Sequence, residues 1–289
     1  LTELNRKWQS TGVFNYTQSD YDQAKVVIVG APMDYSVSFK TGTRFGPQGI
    51  RHASYGLEEY SPYVDRHLSN VPVYDKGDLV LPFGNVDESL NIIYKGVKEV
   101  VQDKKVPFVL GGEHLISLPC IQAVAEHYPD LVVLHFDAHT DLRDSFFGEK
   151  RSHATVIRRV IELLGKGKVY HYGIRSGEQH EFRYADAMSH MRRYTVLSPL
   201  KDDIKHLQNR PVYVTFDIDC IDPAYCPGTG TPEPGGISSA EAFEAIHLLK
   251  ELNVVGMDLV EVSPHLDHSG ITDMTAAKLV REAILSYWF

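Results

Sequence analysis

Apolar positions along the chain gather in short, nearly continuous runs and do not alternate with polar ones. Such runs occupy Lys25–Val29, Pro107–Leu110, Leu131–Phe136, Lys168–Tyr172, Pro211–Phe216 and Val254–Val260. Strands that are covered on both faces by helices have this composition. Between the runs lie stretches whose apolar residues recur at helical spacing. The pattern predicts helices over Pro47–Tyr55, Val86–Lys104, Leu115–His127, His153–Leu164, Ser238–Leu249 and Thr272–Tyr287. Ser238 followed by Glu241 is a capping box, which marks where the fifth of these begins. Alternating strand and helix implies a central parallel sheet with right-handed crossovers. No repeat, low-complexity tract or linker interrupts the pattern, so residues 1–289 read as one domain.

In a sheet of this kind ligands sit beyond the carboxyl ends of the strands, and there the sequence concentrates its chemistry. Gly111-Gly112-Glu113-His114 follows one run, and Asp137-Ala138-His139-Thr140-Asp141 follows the next. Asp217-Ile218-Asp219-Cys220-Ile221-Asp222-Pro223 and Glu261-Val262-Ser263-Pro264 follow two more. Side chains at i and i+2 of an extended segment share a face, so Asp137, His139 and Asp141 can converge, as can Asp217 and Asp219. Acidic groups crowded on one patch repel and lose hydration unless a cation neutralises them. Four aspartates with His114 and His139 suit Mn²⁺ or another divalent ion that tolerates octahedral geometry, and four carboxylates suit two ions better than one. A lone D-x-D is commonly a turn or a helix cap, and a lone histidine after two glycines commonly sits satisfied in its loop. Three such elements, each at the end of a predicted buried strand, point to a metal site.

Composition narrows the classes further. With 29 Lys+Arg against 38 Asp+Glu the formal charge is −9, and no basic block is present, which argues against a nucleic-acid backbone or an anionic membrane as partner. The chain is 43% hydrophobic and 23% charged, ordinary for a globular protein and unlike a membrane-spanning one. The three cysteines, Cys120, Cys220 and Cys226, form no C-x-x-C pair, and no secretory leader is evident in residues 1–30. A reducing cytoplasm is the expected compartment.

In order, Gly111–His114, Asp137–Asp141, Ser152-His153-Ala154-Thr155, Phe216–Pro223 and Val260–Pro264 resemble the ureohydrolase (arginase/agmatinase) superfamily. Gly42–Arg51 resembles that family's N-terminal signature. The resemblance implies a three-layer α/β/α arginase-like fold, two manganese ions per subunit and assembly into a homo-oligomer, a trimer or hexamer. By resemblance His114, Asp137, Asp141 and Asp217 hold one ion, and Asp137, His139, Asp217 and Asp219 the other. It further implies that Asp141 accepts a hydrogen bond from the attacking nucleophile and that Glu261 pairs with the substrate guanidinium. His153 is implied as the proton shuttle, a task that suits an imidazole titrating near neutrality.

The same likeness bears on the substrate. Arginases hold the α-amino-acid end of arginine with an Asn- and Ser-rich loop after D-x-H-x-D and an Asp after a later Gly-Ile-Arg. Here the loop reads Leu142-Arg143-Asp144-Ser145-Phe146-Phe147, and Ser176 stands after Gly173-Ile174-Arg175. That departure, with an agmatinase-like Pro227–Pro232, favours a small cationic guanidine, agmatine, hydrolysed to putrescine and urea. Guanidinobutyrate or guanidinopropionate hydrolysis is the alternative, with arginine further behind. Asp144, Phe147 and Glu178 are candidates for the substrate tail because their loops lie nearby in sequence. A single-zinc deacetylase of the same fold is disfavoured by the extra His114, Asp141 and Asp219, and an inactive regulatory relative by the intact donor set. His135, inside an apolar run, reads as core. His265, Asp267 and His268 read as solvated or supporting groups, and Asp222 as a turn former.

Overall fold

The computed structural model describes residues 7–17 and 19–289. Its strands are β1 (Trp8–Gln9), β2 (Val26–Ala31), β3 (Tyr60–Ser61), β4 (Arg66–His67), β5 (Val73–Leu79) and β6 (Val106–Gly111). They continue with β7 (Val132–Phe136), β8 (Val169–Ile174), β9 (His190–Arg193), β10 (Pro211–Asp217) and β11 (Asn253–Val260). Nine of them form one sheet in the order β1-β5-β2-β6-β11-β10-β7-β8-β9, while β3 and β4 make a small separate hairpin. All neighbours in the large sheet run parallel except β1, which pairs antiparallel with β5. The sheet is therefore mixed at one edge, where the sequence pattern implies a wholly parallel one.

Residues of each central strand alternate between two apolar layers, as the pleat demands. Val26 and Ile28 face one layer, Val27 and Val29 the other. The first layer packs against α1 (Gly46–Ser54), α6 (Leu197–Leu207), α7 (Ser239–Leu248) and α8 (Ile271–Tyr287). The second packs against α2 (Val86–Gln102), α3 (Ser117–Ala125), α4 (Val156–Leu164) and α5 (Gln179–Met188). The arrangement is α/β/α in three layers. Helix α7 starts as its capping box dictates, with Ser238 Oγ accepting from the Glu241 N–H at 3.2 Å and Glu241 returning a bond to the Ser238 N–H at 2.8 Å. At the other end of the chain Trp288 donates to the Val254 carbonyl at 2.8 Å, and Tyr287 donates to the Ile246 carbonyl at 2.9 Å.

Seven elements carry too little periodicity to be anticipated: the two-residue strands β1, β3 and β4, and four longer elements. Strand β5, Val-Tyr-Asp-Lys-Gly-Asp-Leu, is polar because Asp75 and Asp78 face Arg51 of α1. All three are buried, and Arg51 bonds the two carboxylates at 2.8 and 2.5 Å. Strand β9 is short and polar, and α5 and α6 are mostly hydrophilic.

The register positions the site. Leu110 pairs with Leu259, Asp217 with Val260, and Phe216 with Phe136. Four adjacent strands, β6, β11, β10 and β7, therefore end level with one another. The chain leaves β6 for β7 and only later fills the two positions between them with β10 and β11, so this edge is a topological switch point. Below it Phe136 stacks between Tyr172 (5.0 Å) and Phe216 (5.4 Å). Phe136→Ala is expected to lower stability by about 3–5 kcal/mol in urea denaturation. A loss under about 1 kcal/mol would mean that the stack does not support the strand ends.

Candidate functional site

The level strand ends bring all six predicted donors together. His114 begins a short 3₁₀ turn after β6, and its Nδ1 lies 3.1 Å from Asp137 Oδ2, 3.2 Å from Asp141 Oδ2 and 3.3 Å from Asp217 Oδ2. His139 Nδ1 lies 2.9 Å from Asp219 Oδ2 and 3.5 Å from Asp137 Oδ1. Asp137 thus faces both imidazoles. Donor atoms about 2.1 Å from one ion and at right angles to each other stand about 3 Å apart, so these separations fit ligands of a common ion. His114 Nδ1 and Asp219 Oδ2 are buried and make no well-aligned hydrogen bond despite these short approaches. Buried polar atoms without partners call for an explanation, and the chemistry of this donor set fits a cation shared between them. Two groups, Asp137 with His139 and Asp219, and His114 with His135 and Asp137, bring their donor atoms close enough together to hold a metal.

The electrostatics show the cost of this crowding. Burial disfavours charge on His114, Asp137, His139, Asp141 and Asp217, and their remaining interactions divide the protons among them. Burial and then the Asp137 charge push Asp141 up to about 7. Burial, followed by Asp219 and Asp137, holds Asp217 well above the carboxylate range. Asp137 goes the other way: burial is outweighed by bonds to His114 and His135, and it stays well below that range. For His139 burial is overcome by Asp219 and Asp137, which raise it to about 12.

Supporting residues hold the donors in place. His135, buried in β7, has both ring nitrogens engaged, its Nε2 bonding Asp137 Oδ2 at 2.8 Å and its Nδ1 meeting His171 Nδ1 at 3.0 Å. Glu181 of α5 accepts from Thr140 Oγ1 at 2.7 Å and from the Leu142 N–H at 3.1 Å, clamping the loop after β7. Sequence patterning had no means of finding it, because the bond joins residues about forty positions apart. Two carboxylates of the site, Asp141 (φ 52°) and Glu261 (φ 64°), adopt the left-handed backbone region that non-glycine residues avoid. Glu261 is held there by its N–H to the Gly112 carbonyl (2.9 Å) and by the His114 N–H, which donates to its Oε1 at 2.7 Å.

Above the donors opens a cavity of about 250 Å³, lined by His114, His139, Asp141, Asp217, Glu261 and His153 together with Ser38, Arg143, Phe146, Glu178, Glu181 and Thr231. Glu261 is buried in its wall, and burial, opposed by the His114 N–H and aided by Glu113, raises it to about 8. His153 opens the 3₁₀ turn before α4, its N–H bonding Ser36 Oγ at 3.0 Å and its Nε2 meeting Ser38 Oγ at 3.1 Å. Ser36 is itself tied to buried Glu113. Burial lowers His153 to about 4, so it is neutral at pH 7, where the sequence suggests an imidazole titrating near neutrality.

Of the three tail candidates, only Glu178 lines the cavity. Asp144 turns to Arg158 and Arg159 (3.4 and 3.1 Å), and Phe147 projects into solvent while its neighbour Phe146 faces His153. Arg143 and Phe146, not Asp144 and Phe147, occupy the wall. Asp267 is buried and not solvated: it serves the start of α8, accepting from the Thr272 N–H and Oγ1 at 2.8 Å. Asp222 does form a turn, accepting from the backbone N–H groups of Ala224, Gly235 and Gly236.

The chain is similar to known proteins over nearly its whole length. The model of the arginase family matches residues 24–286. The chain is 50% identical over 278 residues to an agmatinase of Halalkalibacterium halodurans, covering 95% of this chain and 96% of that protein. It is 35% identical to a guanidinobutyrase of Pseudomonas aeruginosa, covering 92% and 87%. The crystal structure of agmatine ureohydrolase of Thermoplasma volcanium superposes with a TM-score of 0.84 at 33% identity, over 97% of this chain and 94% of that one.

His153 has a testable consequence. Its folded value lies below its unfolded one, so the unfolded chain binds the extra proton between about pH 4 and about pH 6.5. The contribution is therefore present above the upper limit and is lost as pH falls towards the lower one. His153→Gln is expected to flatten the pH dependence of stability in this window when urea midpoints are compared. Parallel curves for the two proteins would refute the buried neutral imidazole.

Proposed function

The chain belongs to the arginase family, and on that premise we propose that it hydrolyses agmatine to putrescine and urea. The observation that carries the reading is that one cavity wall combines four of the six donors, His114, His139, Asp141 and Asp217, with the buried carboxylate of Glu261 and the imidazole of His153. His114, Asp137, Asp141 and Asp217 would hold one divalent ion, and Asp137, His139, Asp217 and Asp219 a second. The oxygen-rich donor set with two imidazoles favours manganese. When bound, such ions acidify water towards a pKa of ~7, which hydrolysis of so poor an electrophile as a guanidinium requires.

The chain's own groups supply the rest. Glu261 gains a partner for its buried charge when a guanidinium binds, and the pairing orients the guanidinium carbon over the donor cluster. Asp141 accepts a hydrogen bond from the attacking nucleophile. His153, neutral and close to the mouth, gives its ring proton to the leaving amine while its other nitrogen takes up the one released by the attacking nucleophile, so the ring ends neutral. Glu178 at the rim offers the substrate's ammonium tail a carboxylate. The same reading makes the protein a cytoplasmic homo-oligomer, a trimer or hexamer. Three buried, unpaired cysteines suit a reducing compartment, and exposed Phe83 and Phe147, which share a groove beside the cavity, suit a contact between copies. Among the described residues no helix is long and apolar enough to cross a membrane.

One observation favours a second substrate. Arg143 lines the cavity and reaches Glu178 and Glu181 only at 3.6 and 3.8 Å, so a carboxylate tail such as that of guanidinobutyrate has a cation to meet. Urea release by manganese-reloaded protein decides between them: kcat/KM is expected to be highest for agmatine among agmatine, guanidinobutyrate, guanidinopropionate and arginine. A preference for guanidinobutyrate would establish the second reading, and no urea from any substrate would remove the hydrolase. Asp219→Ala is expected to lower bound manganese from two ions per chain towards one, with a rate loss of about 100-fold or more. Two ions in the variant would refute its place in the centre.

A further inference from the structure

A chain of polar groups leads from the donor cluster into the middle of the sheet. Thr215 in β10 and Asp258 in β11 are register partners, and both are fully buried. A carboxylate inside an apolar strand is costly unless its oxygens are bonded. Asp258 Oδ2 accepts from the Tyr213 hydroxyl at 2.8 Å, and Oδ1 accepts from Thr215 Oγ1 at 2.6 Å. A threonine hydroxyl has one proton, and an ionised carboxylate can only accept. With that proton committed to Asp258, Thr215 Oγ1 has only lone pairs for its other neighbours. Those are His114 Nε2 at 3.0 Å and Ser117 Oγ at 3.2 Å. Ser117 Oγ–H can donate there or to Asp258, whereas a bare His114 Nε2 would meet a lone pair at 3.0 Å, so the geometry favours a His114 ring that carries a proton on Nε2. Its Nδ1 then presents a lone pair to the point shared by Asp137, Asp141 and Asp217. A ring protonated on Nδ1 alone would have none to offer there. Among the described residues no such chain reaches His139, whose side chain is about a quarter exposed.

We propose that Thr215 and Asp258 are positioning residues that lock His114 in the tautomer protonated at Nε2, and thereby set the affinity of one of two ion sites. The inference rests on the reading of the cluster as a two-ion centre. His114 belongs to one site only, so the relay acts on that site and leaves the other alone. Asp258 acts through Thr215, by taking the proton that would otherwise allow the hydroxyl to donate to Nε2.

Manganese binding by equilibrium dialysis, with folding checked by circular dichroism, tests this without reference to turnover. The wild-type chain is expected to bind two ions. Thr215→Val, nearly isosteric but without a hydroxyl, is expected to weaken one site by about 10–100-fold and leave the other within about twofold. Thr215→Ser restores the hydroxyl and is expected to return the affinity to near wild type, a rescue that loss of packing does not produce. Asp258→Ala weakens the same site, yet adds less than about twofold in the Thr215→Val background, because the two residues act in series. If Thr215→Val does not fold, the Asp258→Ala and Thr215→Ser arms carry the test. Wild-type affinity at both sites in folded Thr215→Val or Asp258→Ala overturns the relay, as does a Thr215→Ser protein as weak as Thr215→Val. Failure of the wild-type chain to bind manganese would overturn the two-ion reading itself, before any variant is compared.

Discussion

Six ionisable groups cannot share a buried patch as free charges, and much of this molecule is arranged around that constraint. His114, Asp137, His139, Asp141, Asp217 and Asp219 meet within hydrogen-bonding distances where water is largely excluded. Without cations the patch must take up protons, which explains carboxylates pushed upwards beside imidazoles that hold their charge strongly. The surrounding structure keeps the groups from moving apart. Glu181 clamps the loop after β7, His135 fixes one oxygen of Asp137, and the Asp217 side chain accepts from the Asp219 N–H at 2.9 Å. Neutralisation by divalent ions is the simplest release of this tension, and a guanidinium beside Glu261 extends the same logic to the substrate.

Much of the centre was legible in the sequence because its donors follow buried strands directly. A strand covered on both faces is a long apolar run, and its end is where polarity returns, so His114, Asp137 and Asp217 are exposed by contrast with what precedes them. The i, i+2 spacing points on to His139, Asp141 and Asp219, although Asp219 lies in a 3₁₀ turn and Asp141 in left-handed backbone, so local turns and not an extended strand bring these two in. Legibility fails where function depends on chain segments meeting in space. Glu181 looks like any acidic residue opening a helix, and Arg143 and Phe146 differ from Asp144 and Phe147 only in the direction the loop turns them. Strand β5 is hidden for a related reason. Its inward carboxylates are neutralised by Arg51, so its polarity imitates a surface segment although Asp75 and Asp78 are buried.

Polar residues inside the strands belong to the same argument. His135, Thr215 and Asp258 interrupt apolar runs, and read one at a time each is a core residue with its hydrogen bonds satisfied. The structure aligns them beneath the donors, where each is bonded to a donor or to the next group along. A buried polar network that is fully satisfied rigidifies what it touches. The backbone bends at Asp141 and Glu261 show that part of the folding energy is spent in aiming two carboxylates.

The switch point also dictates an order of assembly. Strands β5, β2 and β6 can associate early in synthesis, and β7, β8 and β9 soon after, but these two half-sheets have no common boundary until β10 and β11 come between them. The facing edges of β6 and β7 must wait, unpaired, for the last third of the chain. Non-local pairing of this kind is slow and leaves strand edges open to the wrong partner. Asp217 and Asp219, which complete the crowding around His114 and Asp137, are likewise supplied by the strand that comes late in the chain, so the full cluster of carboxylates requires the inserted strand.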